Sequence, residues 1–562
     1  MRPGPRASCV AALSVVVCGL FMLGTAWATP GTVVSSPKIS NTVGGFTGVL
    51  DNLDEFGGAV AWLGDLDGPG PSVAAMAVGA ALDDDGSGDR GAVYILFLSA
   101  SGTVLSSTKI SDLVNLPGQP LDGLDQFGSS LAWLGDLDGD GPSAGALAVG
   151  SPFDDDGGTD RGAVYVLFLS TNGTVLTVQK ISGLEGNFTG VLDNLDEFGD
   201  SVADLGDFDG SGPSARAIAV GAGGDDDGGG DRGAVWILFL GTDGKVKSYS
   251  KISSTQGNFT GPLHNTDDFG GAVANLSDLD GAGPSVQALA VGATFDDDGG
   301  LDRGAVWILF LNASASVIAQ QKISDLQGNF NDFFSDGDEF GGALGALPDI
   351  DGSGGAVATL AVGVAGDDDG GEDRGAVHIL FLNSNGTCLA SQKISDFYGN
   401  FTPALDNFDA FGSSLCFLGD LNGAAAGIAT IACGVTGDDD GGTDRGAVFL
   451  LNLDGVSYVG VGESPVGPAG AVLGRAWPNP FHPSTTIPFR LDEAADVSIV
   501  VWDVRGRQVR QLVRDRRPAG SHQAVWDGRD DSGRALAPGT YFYRLDVNGR
   551  PASRAKKALL LH

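Results

Sequence analysis

Apolar and polar positions alternate along this chain in short runs separated by Gly- and Asp-rich breaks. From Phe127 to Ser182 the runs Phe127–Leu134, Gly145–Gly150, Gly162–Leu169 and Thr174–Ser182 predict four strands, A to D. Strand C, GAVYVLFL, is apolar without interruption and is expected to be covered on both faces. Asp-Gly clusters supply turns, and no window has apolar residues three and four apart over helical length, so no helix is predicted.

The same pattern recurs at a constant step. A Phe-Gly pair stands at Phe56, Phe127, Phe198, Phe269, Phe340 and Phe411, and the Arg of Asp-Arg-Gly at Arg90, Arg161, Arg232, Arg303, Arg374 and Arg445, each 71 residues after the last. Four antiparallel strands per unit, each unit burying its neighbour's apolar face, predict a β-propeller of about six four-stranded blades. The sixth unit breaks off after strand C, whereas Thr32–Ser40 is a strand D with no A, B or C before it. Pairing that N-terminal strand into the last blade would remove both open edges; Ser457–Gly462 is the alternative sixth strand D. In such a blade the A–B and C–D loops leave on one face, and the B–C and D–A loops on the other.

Composition agrees with a turn-dense all-β protein: 562 residues, 42% hydrophobic, with 91 Gly and 24 Pro. Residues 1–28 carry Arg2 and Arg6, an apolar core and Ala26-Trp27-Ala28, the arrangement of a bacterial secretory signal, so a secreted or cell-surface location is expected. A lipoprotein signal at Cys18 is the weaker alternative, because Val17 stands where a small residue is wanted. No later stretch is long and apolar enough for a membrane span. The expected order is a signal peptide (1–28), a propeller (29–453), a Gly/Pro/Ser linker (454–474) and a small Ig-like β-sandwich (475–562). Cys388, Cys416 and Cys433 make no disulfide framework; they are expected as buried thiols, with a Cys416–Cys433 bridge as the alternative.

Charge is divided unequally. The net charge of −39 conceals a C-terminal region, 471–562, with 15 basic and 9 acidic residues, leaving about −47 on the propeller. Nucleic acid and anionic membrane are disfavoured partners; divalent cations or a basic partner are attracted.

The repeats resemble the FG-GAP repeats of integrin α-chain heads and related bacterial surface proteins. The likeness rests on Phe-Gly-x-Ser at Phe127–Ser130, the Gly-Asp-x-Asp-Gly-Asp-Gly run at Gly135–Gly141, Val149–Pro152 and Gly162–Tyr165, over about three quarters of the chain. It implies an adhesion or binding propeller with calcium in the A–B loops, where D-x-D-x-D places alternate carboxylates on one side of a turn. The candidate Ca2+ ligands are Asp136, Asp138 and Asp140 in the second blade. The remaining loops have Asp65 and Asp67, Asp207 and Asp209, Asp278 and Asp280, Asp349 and Asp351, and Asp420 and Asn422. Three features depart from the family: six blades rather than seven, longer loops, and a third position that reads Pro69, Ser211, Ala282, Ser353 or Ala424 outside the second blade. Asp-Gly turns with carboxylates accepting backbone hydrogen bonds are the alternative to calcium.

A second acidic motif has not drifted. Asp83-Asp84-Asp85-Gly86 with Asp89-Arg90-Gly91 recurs in every B–C loop. Its structural reading pairs Arg90 and its equivalents with the triple-Asp turn; its ligand reading is a cation site, since one Arg cannot neutralise four Asp.

Past the linker, Val497–Val504, RQVRQLV, HQAVWDG and TYFYRLDV read as strands. Pro478-Asn479-Pro480-Phe481, Trp502-Asp503, Trp526-Asp527-Gly528, Gly539-Thr540-Tyr541 and Lys556–Leu560 resemble C-terminal sorting domains of type IX secretion and the Ig-like domain of flagellar hook-capping proteins. The resemblance implies secretion machinery as a partner; an Ig-like accessory domain without a sorting role is the alternative. Asp527, Asp530 and Asp531 read as turn residues rather than metal ligands. His264 and His378 have no equivalents in other blades, so no His-based triad or zinc spacing emerges. The expected function is a non-enzymatic binding or adhesion protein for an unknown extracellular protein or glycan. A glycan-active enzyme and a structural surface-layer component are the alternatives.

Overall fold

The computed structural model describes residues 30–454 apart from 69, 86–87, 119–120, 140, 209–215, 282–284, 351–356, 420 and 422–427. It also describes 471–473, 481 and 484–560 apart from 492–493, 504, 506, 519, 549 and 552–555. The predicted signal, Ser457–Gly462, Asp140, Asp209, Asp351, Asp420 and Asn422 therefore lie outside the described residues.

Described secondary structure is all β. In the second blade strands A to D are Ser130–Gly135, Gly145–Ser151, Ala163–Leu169 and Val175–Ile181, joined antiparallel in sequence order. Strand A starts three residues later than expected because the Phe-Gly pair makes the turn into it. Gly128 has φ 104°, and a Cβ there would stand 2.6 Å from the Ala92 carbonyl oxygen of the previous blade. All seven residues of strand C are buried in blades one to five, as a run covered on both faces requires.

Neighbouring blades share apolar cores in which each Phe of the Phe-Gly pair is fully buried. Phe127, for example, packs with Ala61, Val93, Val149 and Tyr165 across blades one and two. The last and first blades are joined in the same way: Phe56, Val60 and Met76 share a core with Leu418, Ala432 and Val448. Ser414 Oγ donates to Gly57 O at 2.6 Å, repeating the bond of Ser201 Oγ to Gly270 O at 2.6 Å. The N-terminal strands Val33–Ser35 and Lys38–Ser40 pair with Ala447–Asp454 and take the outer position of the sixth sheet, in place of the alternative at Ser457–Gly462. Pro37, which has no N–H to give, is tolerated at this outer edge, where its carbonyl accepts from Leu450 N at 2.8 Å.

Cys416 stands opposite Ala432, and Cys433 opposite Leu415. The two thiols thus point to opposite faces of the sheet and into different cores, which rules out the bridge between them. The C-terminal strands form two sheets around Phe481, Trp526, Tyr541 and Tyr543, as a β-sandwich requires.

Candidate functional site

Each B–C loop closes over a lysine that stands on strand D of the same blade. In the fourth blade Lys322 Nζ lies 2.6 Å from Asp296 Oδ2 and 2.8 Å from Asp298 Oδ2, and Ser324 Oγ donates to Asp298 at 3.0 Å. Asp296 Oδ1 accepts the Asp298 N–H at 2.9 Å, an Asx turn that fixes the loop. The Lys322 ammonium also sits over the Trp307 ring, 5.4 Å from its centroid. Lys109, Lys180, Lys251 and Lys393 repeat the arrangement, and in the sixth blade Lys38 reaches Asp438 and Asp440 from the N-terminal strand. Burial would raise the Asp298 carboxyl, yet the hydrogen bond and charge of Lys322 hold it below its ordinary value.

Arg90 and its equivalents do not pair with the triple-Asp turn, contrary to expectation. Where the residue after the strand-D Ser is Asp, the Nη1 group reaches it, as Arg90 does Asp112, Arg303 Asp325 at 2.8 Å and Arg374 Asp396 at 2.7 Å. In the second to sixth blades the Nε group donates to the following D–A loop, as in Arg161 to Asn194 at 3.0 Å. Arg445 reaches Asn52 at 3.1 Å, from the last blade to the first. Lysine holds the turn because its point charge can enter between a buried carboxylate and a partly exposed one, whereas the forked guanidinium clamps one loop to the next. A signal was available, since Lys109, Lys180, Lys251, Lys322 and Lys393 each follow the first Asp of their loop by the same interval, whereas Lys38 stands at the N-terminal strand.

A further carboxyl, on the D–A loop, went unnoticed in the sequence. Asp54, Asp125, Asp196, Asp338 and Asp409 are pushed up to about 7 and Asp267 to about 6, by burial first and by the neighbouring triple-Asp carboxylates besides. Each accepts a backbone N–H three residues earlier, as Asp125 does from Asp122 at 2.8 Å. One pair breaks the sixfold pattern. Asp200 stands where other blades have Gly58, Ser129, Gly271, Gly342 or Ser413, and Asp268 where they have Glu55, Gln126, Glu197, Glu339 or Ala410. A Cβ at Gly223 would lie 2.0 Å from Asp268 Oδ1 and 3.2 Å from Asp200 Oδ2, so glycine there leaves room for both. Burial first raises both carboxyls, with repulsion from Asp268 and Glu197 adding at Asp200 and repulsion from Glu197, Glu339 and Asp231 adding at Asp268.

The A–B loops are looser. Asp65, Asp136, Asp207, Asp278 and Asp349 are exposed, while the apolar residue after each is buried. Asp67, Asp138 and Asp280 accept from the Ser five residues on, as Ser143 Oγ to Asp138 Oδ1 at 2.6 Å. Among the described residues no three metal-ligating side chains come together. In the C-terminal sandwich Asp530 Oδ1 accepts from Ser532 N, Ser532 Oγ and Arg534 N, the work of a turn residue. His378 is buried against the rings of Phe330, Phe334 and Phe340, a packing role.

The side of the propeller that bears the B–C and D–A loops also exposes apolar side chains at repeated positions: Leu53, Leu124, Leu195 and Phe408 in one ring, Leu184, Leu326 and Phe397 in another. Exposed carboxylates stand between them.

Residues 480–550 match the FlgD Ig-like domain family. No curated protein matches the chain. Among solved structures it is similar to PorZ of Porphyromonas gingivalis, described as an essential bacterial surface component of the type-IX secretion system (13% identity, TM-score 0.31), covering 87% of this chain and 58% of that one. The chain thus spans little more than half of PorZ. It is also similar to FlgD of P. aeruginosa (26% identity, TM-score 0.12, covering 14% of this chain and 60% of that one). A third likeness is to dimeric latent PorU of P. gingivalis (14% identity, TM-score 0.17, covering 58% of this chain and 31% of that one).

Proposed function

We propose that this chain is a non-enzymatic binding or adhesion protein of the bacterial surface or its surroundings, and that the face bearing the B–C and D–A loops is its working surface. One observation carries the reading: the first and third carboxylates of each B–C motif are held from within by a lysine, and what that face offers outward is a repeated set of exposed apolar side chains among acidic groups. Large apolar side chains left exposed at repeated positions on one face are suited to contact a partner. The acidic surroundings select a partner with basic groups. The FG-GAP resemblance supports the same role. It also supports a calcium ion in the second A–B loop, at Asp136, Asp138 and Asp140, where the D-x-D-x-D spacing is the whole of the argument. The Ig-like region carries the export reading, with secretion machinery as its partner.

Protein and glycan arrays probed with the full chain and with a Leu53→Ser, Leu195→Ser, Phe408→Ser variant test the working surface. A basic protein partner lost by the variant, with melting unchanged, is expected; equal signal from both would sink the assignment.

A further inference from the structure

The third blade carries an aromatic patch that its five sisters lack. Tyr249 stands on strand D, where the equivalent residues are Ser36, Ser107, Val178, Gln320 and Ser391. Its ring is 38% exposed although it is held on three sides. Phe188 and Trp236 meet it edge-on, with centroids 5.1 and 5.6 Å away, and Thr189 Oγ1 lies 3.2 Å from its hydroxyl. An aromatic ring fixed in orientation and open to water on part of its surface is a preformed platform, since little freedom remains to be lost when something covers it.

The platform is one wall of a groove of about 590 Å³, which falls within the range of ~300–1,000 Å³ typical of small-molecule sites. Asp227 and Lys251, also in its lining, neutralise each other at 3.0 Å, and Gln256 Nε2 donates to the same carboxylate at 2.8 Å. By contrast, the Asp193 carboxylate, the Asn258 amide and the hydroxyls of Ser250 and Ser316 make no side-chain hydrogen bond among the described residues, and all four line the groove. The groove therefore combines a stacking face with unused donors and acceptors in the same lining.

We propose that this groove binds a neutral oligosaccharide. A pyranose ring has an apolar C–H face that would cover Tyr249, and equatorial hydroxyls that both donate and accept, as Asp193, Asn258 and the two serines require. An anionic glycan is disfavoured by the charge of about −47 on the propeller. An apolar peptide would leave those polar groups desolvated and unpaired. The proposal rests on the binding reading above and names a distinct site for it, lined in part by B–C and D–A loop residues of the same face.

Titration of the full chain with cellohexaose, xylohexaose, laminarihexaose and maltohexaose, followed by calorimetry, tests the site; oligogalacturonate is the anionic comparison. We expect at least one neutral hexasaccharide to bind. Tyr249→Ser, which installs the residue of the first, fifth and sixth blades, is expected to weaken it about tenfold or more, as loss of ~1.4 kcal/mol implies. Tyr249→Phe should retain most of the affinity, and it guards against a folding defect. Unchanged affinity in Tyr249→Ser, preference for oligogalacturonate, or no binding by any of the four neutral probes overturns the proposal. Protein binding that survives Tyr249→Ser but not the Leu53, Leu195, Phe408 variant would leave the binding reading standing without this site. Absence of both kinds of binding removes the two together.

Discussion

The propeller has two sets of acidic loops, on opposite faces, and they have fared differently over six copies. In the B–C loops every carboxylate motif is intact, and in each the first Asp is buried against its own lysine. In the A–B loops each described first Asp is exposed, the second accepts from a nearby serine at Asp67, Asp138 and Asp280, and the third has become Pro, Ser or Ala in five of the six sequences. Burial is what separates them. Removing one member of a buried charge cluster strands the others without water, whereas an exposed turn carboxylate can be exchanged at little cost. Sameness across the copies thus reports internal compensation of charge, and need not report a ligand.

The largest test of that contrast is deletion of Thr32–Ser40. It bares the edge of Ala447–Asp454 and takes Lys38 from Asp438 and Asp440. Calorimetry should show loss of the cooperative propeller transition, and an unchanged melt would mean that the sixth blade does not depend on this strand.

Lys322→Ala is expected to cost about 3–5 kcal/mol, because it leaves Asp296 buried and unpaired. Arg161→Ala, which removes an exposed clamp on Asn194, should cost about 1 kcal/mol or less. Denaturant melts giving equal losses would contradict the division of labour between the two cations.

Acidity probes the buried D–A carboxyls. Asp54 and its equivalents hold protons more tightly in the folded chain than at their ordinary value of 3.8, so stability falls as pH rises from about 4 to about 7. Asp227, Asp298 and Asp440, held below their ordinary value, lose their contribution only in more acidic solution. Melting temperature should therefore be higher at pH 5.5 than at pH 8, and Asp125→Asn should shrink the difference. A melt that is higher at pH 8 would show that these carboxyls are ionised in the folded protein.

A modest shift in melting temperature is expected from calcium at the A–B face. An ion held at a hundred times its dissociation constant adds about 2.7 kcal/mol, a shift of only a few degrees in a chain this long. Scanning calorimetry with calcium and with chelator, on the natural chain and on Asp138→Ala, measures it. No shift in the natural chain ends the calcium proposal, and a full shift in the variant moves the ion elsewhere.

Local pattern was enough to read the strands, their four-strand unit, the constant step and the strand D displaced to the N-terminus. Each depends on apolar periodicity and turn residues that neighbours in sequence supply. The same holds for Asp530 as a turn residue. What could not be read locally was which charge meets which. Lys322 lies 26 residues from Asp296, and the two become partners only because strands B, C and D pair antiparallel and bring the start of one loop beside the end of the outer strand. The arginine clamp needed the following blade in place, and the register that sends Cys416 and Cys433 to opposite faces needed the sheet. The exposed Tyr249 ring became a wall of a groove only once Phe188, from the loop before its blade, had packed against it. Burial patterns are written along the chain because water sorts residues one at a time, but electrostatic partnership depends on distance, and only the assembled ring sets the distances.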